Sequence, residues 1–142
     1  MSIKKDAQTA HANLLEKTDP EALERINHFA FDEVQADVDL PDRTKMLSTL
    51  AYLLGMQGVD EYKVMLPVAL DNGVSPVEAK EVLYQAVDYL GLGRVFPFFN
   101  ATNDVLRARG VEMPLPSQSI TRLWIIVLKR AKRPKFAYLD HK

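Results

Sequence analysis

Residues 40–93 read LPDRTKMLSTLAYLLGMQGVDEYKVMLPVALDNGVSPVEAKEVLYQAVDYLGLG, three consecutive helices with their start and stop signals in place. The spacing predicts a helix from about Pro41 to Met56, with Met46, Leu47, Leu50, Ala51 and Leu54 on one side and Leu53 widening the apolar arc. Asp60 is expected to cap the next helix, whose Tyr62, Met65, Leu66, Ala69 and Leu70 form a stripe. That stripe stops at Asn72 and Gly73, the residue types that best tolerate left-handed backbone angles. Pro67 interrupts it, because proline donates no hydrogen bond and its ring crowds the preceding turn, so a kink is expected there. Ser75 and Glu78 form a capping box with Pro76 in the first turn. Ala79, Val82, Leu83, Ala86, Val87 and Leu90 follow at helical spacing, until Gly91 and Gly93 end the run.

Working outward, a helix is expected over Lys5 to Lys17, and another begins at Asp19, with Pro20 in its first turn. Leu23, Ile26, Ala30 and Val34 form the stripe of that second helix, flanked by Phe29 and Phe31. Beyond Gly93, Val95, Phe98, Phe99, Thr102, Val105 and Leu106 predict a helix from about Arg94 to Arg109, stopped by Gly110. The FPFFN cluster at 96–100 reads as buried or intersubunit surface. VEMPLPSQS is a linker, followed by the apolar run Leu123 to Leu128 and the basic string KRAKRPK. No segment shows sustained alternation, so the expected fold class is all-α, a compact oligomeric bundle of about six to seven helices. The expected organisation is an N-terminal helix over 1–18, a helical domain over 19–112, and a linker with a basic tail over 113–142.

A chain of 142 residues suits one domain with a core of useful size. Its 47% hydrophobic and 26% charged residues are ordinary for a globular protein, and no stretch approaches the roughly 20 apolar residues of a membrane span. The N-terminus lacks the continuous apolar core of a secretion signal, so the expected location is cytoplasmic. There is no cysteine, which excludes disulfides, thiolate catalysis and Cys-based metal centres. His11, His28 and His141 lie far apart without the spacing of a helical metal pair, so no metal is expected. Residues 119–142 hold seven Lys or Arg against one Asp, net +6, leaving 11 basic and 18 acidic side chains, net −7, in the rest. An acidic body argues against a nucleic-acid partner, and so short an apolar run beside the basic string argues against a membrane one. The opposed charges favour a tail docked on the body or on a neighbouring subunit.

Residues 40–55 and 60–91 resemble the carboxymuconolactone decarboxylase family, part of the superfamily of the alkylhydroperoxidase D-like proteins. The likeness rests on Leu40-Pro41, Thr44, Ala69, the turn Asn72-Gly73-Val74, Glu78, Lys80-Glu81-Val82, Gln85, Tyr89 and Gly91. It extends loosely over residues 20 to 110. It implies a helical bundle assembled into trimers or hexamers, with pockets near subunit contacts, and a cofactor-free decarboxylation of a lactone diacid. It also marks a departure. The family's His-Leu-Arg run falls on Met65, Leu66 and Pro67, which neither move protons nor clamp a carboxylate. The cysteine pair of the peroxidase branch falls on Gly58 and Glu61, and its supporting glutamate near Met46, so the superfamily's peroxidase activity is disfavoured. Some relatives carry two copies of the unit joined by a linker, and the likeness ends where such a linker would start, which suggests a truncated or frame-altered second half.

The candidate catalytic groups are Glu61 and Glu81, which match family positions and act as general acid or base if burial raises their pKa. Glu81 reads equally well as a solvated or lysine-paired side chain. Arg43 and Lys45 are candidate anion binders, with solvated first-turn cations as the competing reading. Tyr62 and Tyr89 are candidate substrate contacts, although aromatics at helical spacing are commonly packing units. Met65, with Met46, suggests an apolar pocket for a flatter, less charged ligand, or a filled core. The expectation is therefore a homo-oligomeric protein acting on or binding a small organic acid or lactone, with no cofactor. The competing reading is a non-catalytic ligand-binding or assembly module on the same fold.

Overall fold

A computed structural model describes residues 3–118. Among them there is no strand, and the elements are α1 (Ile3–Leu15), α2 (Pro20–Asn27), α3 (Asp42–Gly55), α4 (Val59–Asp71), α5 (Pro76–Leu90) and α6 (Leu92–Ala108). A π-helical segment, His28–Val34, continues α2 without a break. The basic tail and the apolar run Leu123 to Leu128 lie outside the described residues.

The hydrophobic core is built around α4, which packs against α1, α3 and α6, while α5 packs against α3 and α6. Tyr62, Met65, Leu66, Val68 and Ala69 are all buried, so α4 turns almost a full face and a half inward. Met46, Leu50, Leu53 and Leu54 form the buried face of α3. The expected stripe on α3 is therefore rotated: Ala51 is exposed and Leu53 takes the inner place.

Two boundaries differ from expectation for reasons in the turns. The α3–α4 connection closes with Gln57 at φ +60, its side-chain amide donating to the Leu54 carbonyl at 2.8 Å. Gly58 follows as N-cap, so α4 starts before Asp60, which lies in the first turn and pairs with Lys63 at 3.1 Å. Gly91, at φ +81, is both the last cap of α5 and the first cap of α6, so α6 begins at Leu92 rather than Arg94. Asp19 stands at the N-cap of α2 as expected, but its side chain accepts no capping hydrogen bond. The α-helical assignment of α4 is continuous across Pro67. The Pro67 carbonyl accepts from Arg109 at 3.2 Å, and the same guanidinium donates twice to Asp71 at 2.7 and 2.8 Å. Arg109 thereby ties the end of α6 to the last turn of α4.

The capping box of α5 is complete. The Ser75 hydroxyl accepts from the Glu78 N–H at 3.2 Å, and the Glu78 carboxylate accepts from the Ser75 N–H at 2.8 Å. Ser75→Ala removes the acceptor for one of the helix's orphan donors and should cost about 1 kcal/mol, read from the urea midpoint. A loss below about 0.3 kcal/mol would mean that water replaces the hydroxyl at no cost.

Candidate functional site

One side of the bundle holds a cavity of about 560 Å³, within the range of small-molecule sites. Its walls come from α1, the end of α2, the π-helical segment, α3 and α4. The π-helical turn contributes four apolar residues to the lining, Phe29, Ala30, Phe31 and Val34. The Gln35 N–H donates to the Ala30 carbonyl at 3.1 Å, the i to i+5 bond that defines such a turn. Of the stripe expected for one helix on Leu23, Ile26, Ala30 and Val34, only Leu23 and Ala30 are half-buried, while Ile26 and Val34 are exposed. Ile26 and Val34 line the cavity instead of filling the core, and Ala30 both lines the cavity and packs against the core.

The polar groups of the cavity are few and specific. His11 of α1 is 6% exposed, and its Nε2 lies 2.6 Å from Glu61 Oε1 of α4. This is a short contact of the charge-assisted kind. Its other ring nitrogen, Nδ1, is buried without a hydrogen-bond partner among the described residues. The Glu61 hydrogen bond raises the His11 pKa above its usual 6.5 against the opposing effect of burial, helped by the Glu61 charge. Glu61 itself keeps a side-chain exposure of 42%, so one carboxylate oxygen remains open to a ligand or to water while the other holds His11. Lys45 of α3 reaches the same cavity, and its ammonium donates only a long 3.5 Å bond to the Gln35 carbonyl. Among the described residues it has no carboxylate partner.

A raised histidine pKa has a consequence for stability. The folded state holds the His11 proton more tightly than the unfolded chain, so the contribution is complete below pH 6.5 and is lost as pH rises through the folded-state value. The melting temperature should therefore decline upward from pH 6.5, and Glu61→Gln, which removes the charge favouring the proton, should flatten that slope. An identical slope in the variant would show that another group is responsible.

The structure gathers three of the expected site residues, Glu61, Lys45 and Met65, around this cavity. It places the other four elsewhere. Arg43 pairs with Glu78 and is drawn into the capping box of α5. Tyr62 is fully buried, its hydroxyl 3.0 Å from that of Thr102, and burial pushes the phenol pKa up. Glu81 and Tyr89 line a shallow apolar groove between α3 and α5 with Leu47, Ala51, Val82 and Ala86. Tyr89 is 87% exposed there. Met46 is entirely buried in the core. Among the described residues no cluster of three or more His, Asp or Glu could hold a metal ion, and no helix is long and apolar enough to cross a membrane.

His11 is the residue that reasoning from the sequence missed. The signal was present: Ile3, Ala7 and His11 recur at every fourth position and form the buried face of α1. A buried histidine that ends an apolar stripe needs a hydrogen-bond partner, and Glu61 supplies it.

The apolar cavity of this all-α protein thus brings together an imidazole, a carboxylate and a lysine, groups able to exchange protons and to attract negative charge. A family model of the carboxymuconolactone decarboxylase family matches residues 20–104, and the chain belongs to that family. It is 31% identical over 86 residues to the 4-carboxymuconolactone decarboxylase of Acinetobacter baylyi (strain ATCC 33305 / BD413 / ADP1). That match covers 61% of this chain and 64% of the relative, so the two correspond over less than two thirds of the relative's length. The family match begins after α1, and His11 lies outside it.

Proposed function

We propose that the chain is a cofactor-free lyase of the carboxymuconolactone decarboxylase type, acting on a small organic acid or lactone, with His11 and Glu61 as its proton-moving pair. The observation that carries this reading is the 2.6 Å contact between a buried imidazole and a half-open carboxylate on the wall of an apolar cavity. The relative's name supports the reaction class.

In such a reaction the carbon–carbon bond to the leaving carboxylate breaks and carbon dioxide departs. The electron pair left behind spreads into the conjugated lactone carbonyl, and a proton must then be delivered to carbon. A His11 held protonated by Glu61 is a suitable donor, and the pair regains its proton from water. The imidazole that the family's His-Leu-Arg run places on α4 would here come from α1, held against Glu61 of α4. The apolar walls favour loss of carbon dioxide by weakening the hydration of the departing carboxylate. The exposed apolar groove between α3 and α5 supports self-association as a homo-oligomer, as the family resemblance implies.

A binding module without catalysis is the second reading, favoured by Met65 and Pro67 at the family's polar positions. One experiment separates the two. The protein is incubated in D2O with 4-carboxymuconolactone and with a butenolide carrying a single γ-carboxylate, and followed by NMR. Loss of carbon dioxide with one deuterium placed on carbon supports the lyase. A ligand-dependent melting shift with both compounds unchanged would leave the binding module.

A further inference from the structure

The charges lining the cavity are unequal to the demands of a diacid. Lys45 brings one cation with no carboxylate partner among the described residues. His11 brings a second only while paired to Glu61, and that pair is neutral as a unit. The rest of the wall is mostly apolar, with Phe29, Phe31, Leu53 and Met65 among its residues, and its other polar side chains, Gln35, Ser48, Thr49 and Tyr52, are uncharged. Arg43, which would be the natural second cation, is held by Glu78 outside the cavity. Pro67 stands where the family's arginine would be.

We propose that the site takes a monocarboxylate whose remaining bulk is apolar and flat, such as an aromatic or aryl-substituted lactone acid, with the carboxylate on Lys45 and the ring against Phe29, Phe31 and Met65. This deepens the lyase reading by naming the substrate class of the same cavity, and it rests on that reading only for the location of the site. The preference follows from the desolvation costs of the two ligands. A single carboxylate leaving water recovers a charge-assisted bond from Lys45. A second carboxylate would be buried against aromatic walls or beside Glu61, where no second cation compensates its lost hydration. An apolar ring in the same place loses nothing and gains contact with polarisable side chains.

Binding of unreactive probes tests this without reference to turnover. Calorimetry on the full chain compares 3-phenylpropanoate, phenylsuccinate and 3-phenylpropanamide, which share a ring and differ in carrying one, two or no carboxylates. The monocarboxylate should bind about tenfold more tightly than either of the others, the difference that one charge-assisted hydrogen bond accounts for. Lys45→Met should erase its advantage over the neutral amide while leaving the amide's own affinity unchanged. Should the variant unfold, Lys45→Arg gives a second measure, since it keeps the charge and must keep the preference. Equal or tighter binding of phenylsuccinate, or an unchanged preference in Lys45→Met, would overturn the assignment. Because none of the probes can lose carbon dioxide through a lactone, the result stands apart from the deuterium experiment. Selective binding without turnover would retire the lyase and keep the ligand class, and turnover of the diacid alone would do the reverse.

Discussion

Glu61→Gln is expected to lower the rate of carbon dioxide release by about 10²- to 10⁴-fold, the usual reach of a positioned acid–base group, while the protein still melts cooperatively. Glutamine preserves the shape of the carboxylate and can still accept from the imidazole. It brings no negative charge, so the hydrogen bond that is the main cause of the raised His11 pKa loses its charge assistance and the Coulombic attraction goes with it, leaving burial to push the ring toward its neutral form. The variant thus keeps the geometry and loses the proton. The pH profile gives the discriminating readout. In the parent protein activity should fall only above pH 6.5, as His11 deprotonates, whereas in the variant the falling limb should move to lower pH. A purely structural role for Glu61 would lower the amount of folded protein and leave the limb in place. His11→Gln should lose a similar factor, and the double variant should lose little more than either single one, because the two side chains act as a unit. Additive losses would mean that each residue works through a different step.

How much of this was legible in the sequence differs between the fold and the site. The helices over residues 40–93 follow from local chemistry: Ser75 and Glu78 cap α5, and Gly73, at φ +95, closes α4. Signals of that kind act within one or two turns of chain and are readable residue by residue. Glu61 and Lys45 were found because they lie within the stretch that resembles the family, but their shared cavity was not, since it depends on how α1 and the π-helical segment pack against α3 and α4. His11 and Glu61 are 50 residues apart, and nothing local announces their contact. Arg43 shows the opposite case. A cation near the start of a helix looked free to bind an anion, yet tertiary packing brings Glu78 of the neighbouring helix to it. The π-helical turn was invisible for another reason. Its residues carry an ordinary helical pattern, and the wider winding shows only in the Gln35 to Ala30 bond.

Phe98→Ala should destabilise the protein by about 3–5 kcal/mol, a large share of the 5–15 kcal/mol available to a domain of this size. Phe98 is 1% exposed and stands edge-on to Tyr62, with ring centroids 5.1 Å apart and planes at 87°. Truncation leaves a cavity between α4 and α6, beside a tyrosine whose hydroxyl is committed to Thr102 and cannot swing into the gap without losing that bond. The surroundings therefore collapse only partly, which places the cost at the upper part of the range. The neighbouring Phe96→Ala is the control. It belongs to the same cluster in sequence but is 55% exposed, so its loss should stay within about 0.5 kcal/mol. Tyr62→Phe gives the intermediate value of about 1 kcal/mol, because it removes one hydrogen bond and leaves the Thr102 hydroxyl unpaired while keeping the ring stack. Urea titrations at constant m measure all three. Tyr62 and Glu61 are adjacent on α4, but one faces the core and the other the cavity, so variants that remain folded should keep the ligand preference set by Lys45. A Phe98→Ala cost near that of Phe96→Ala would mean that the α4–α6 contact is open to solvent and that the core lies elsewhere. An altered ligand preference in Tyr62→Phe would mean that core and cavity are coupled through the turn of helix they share.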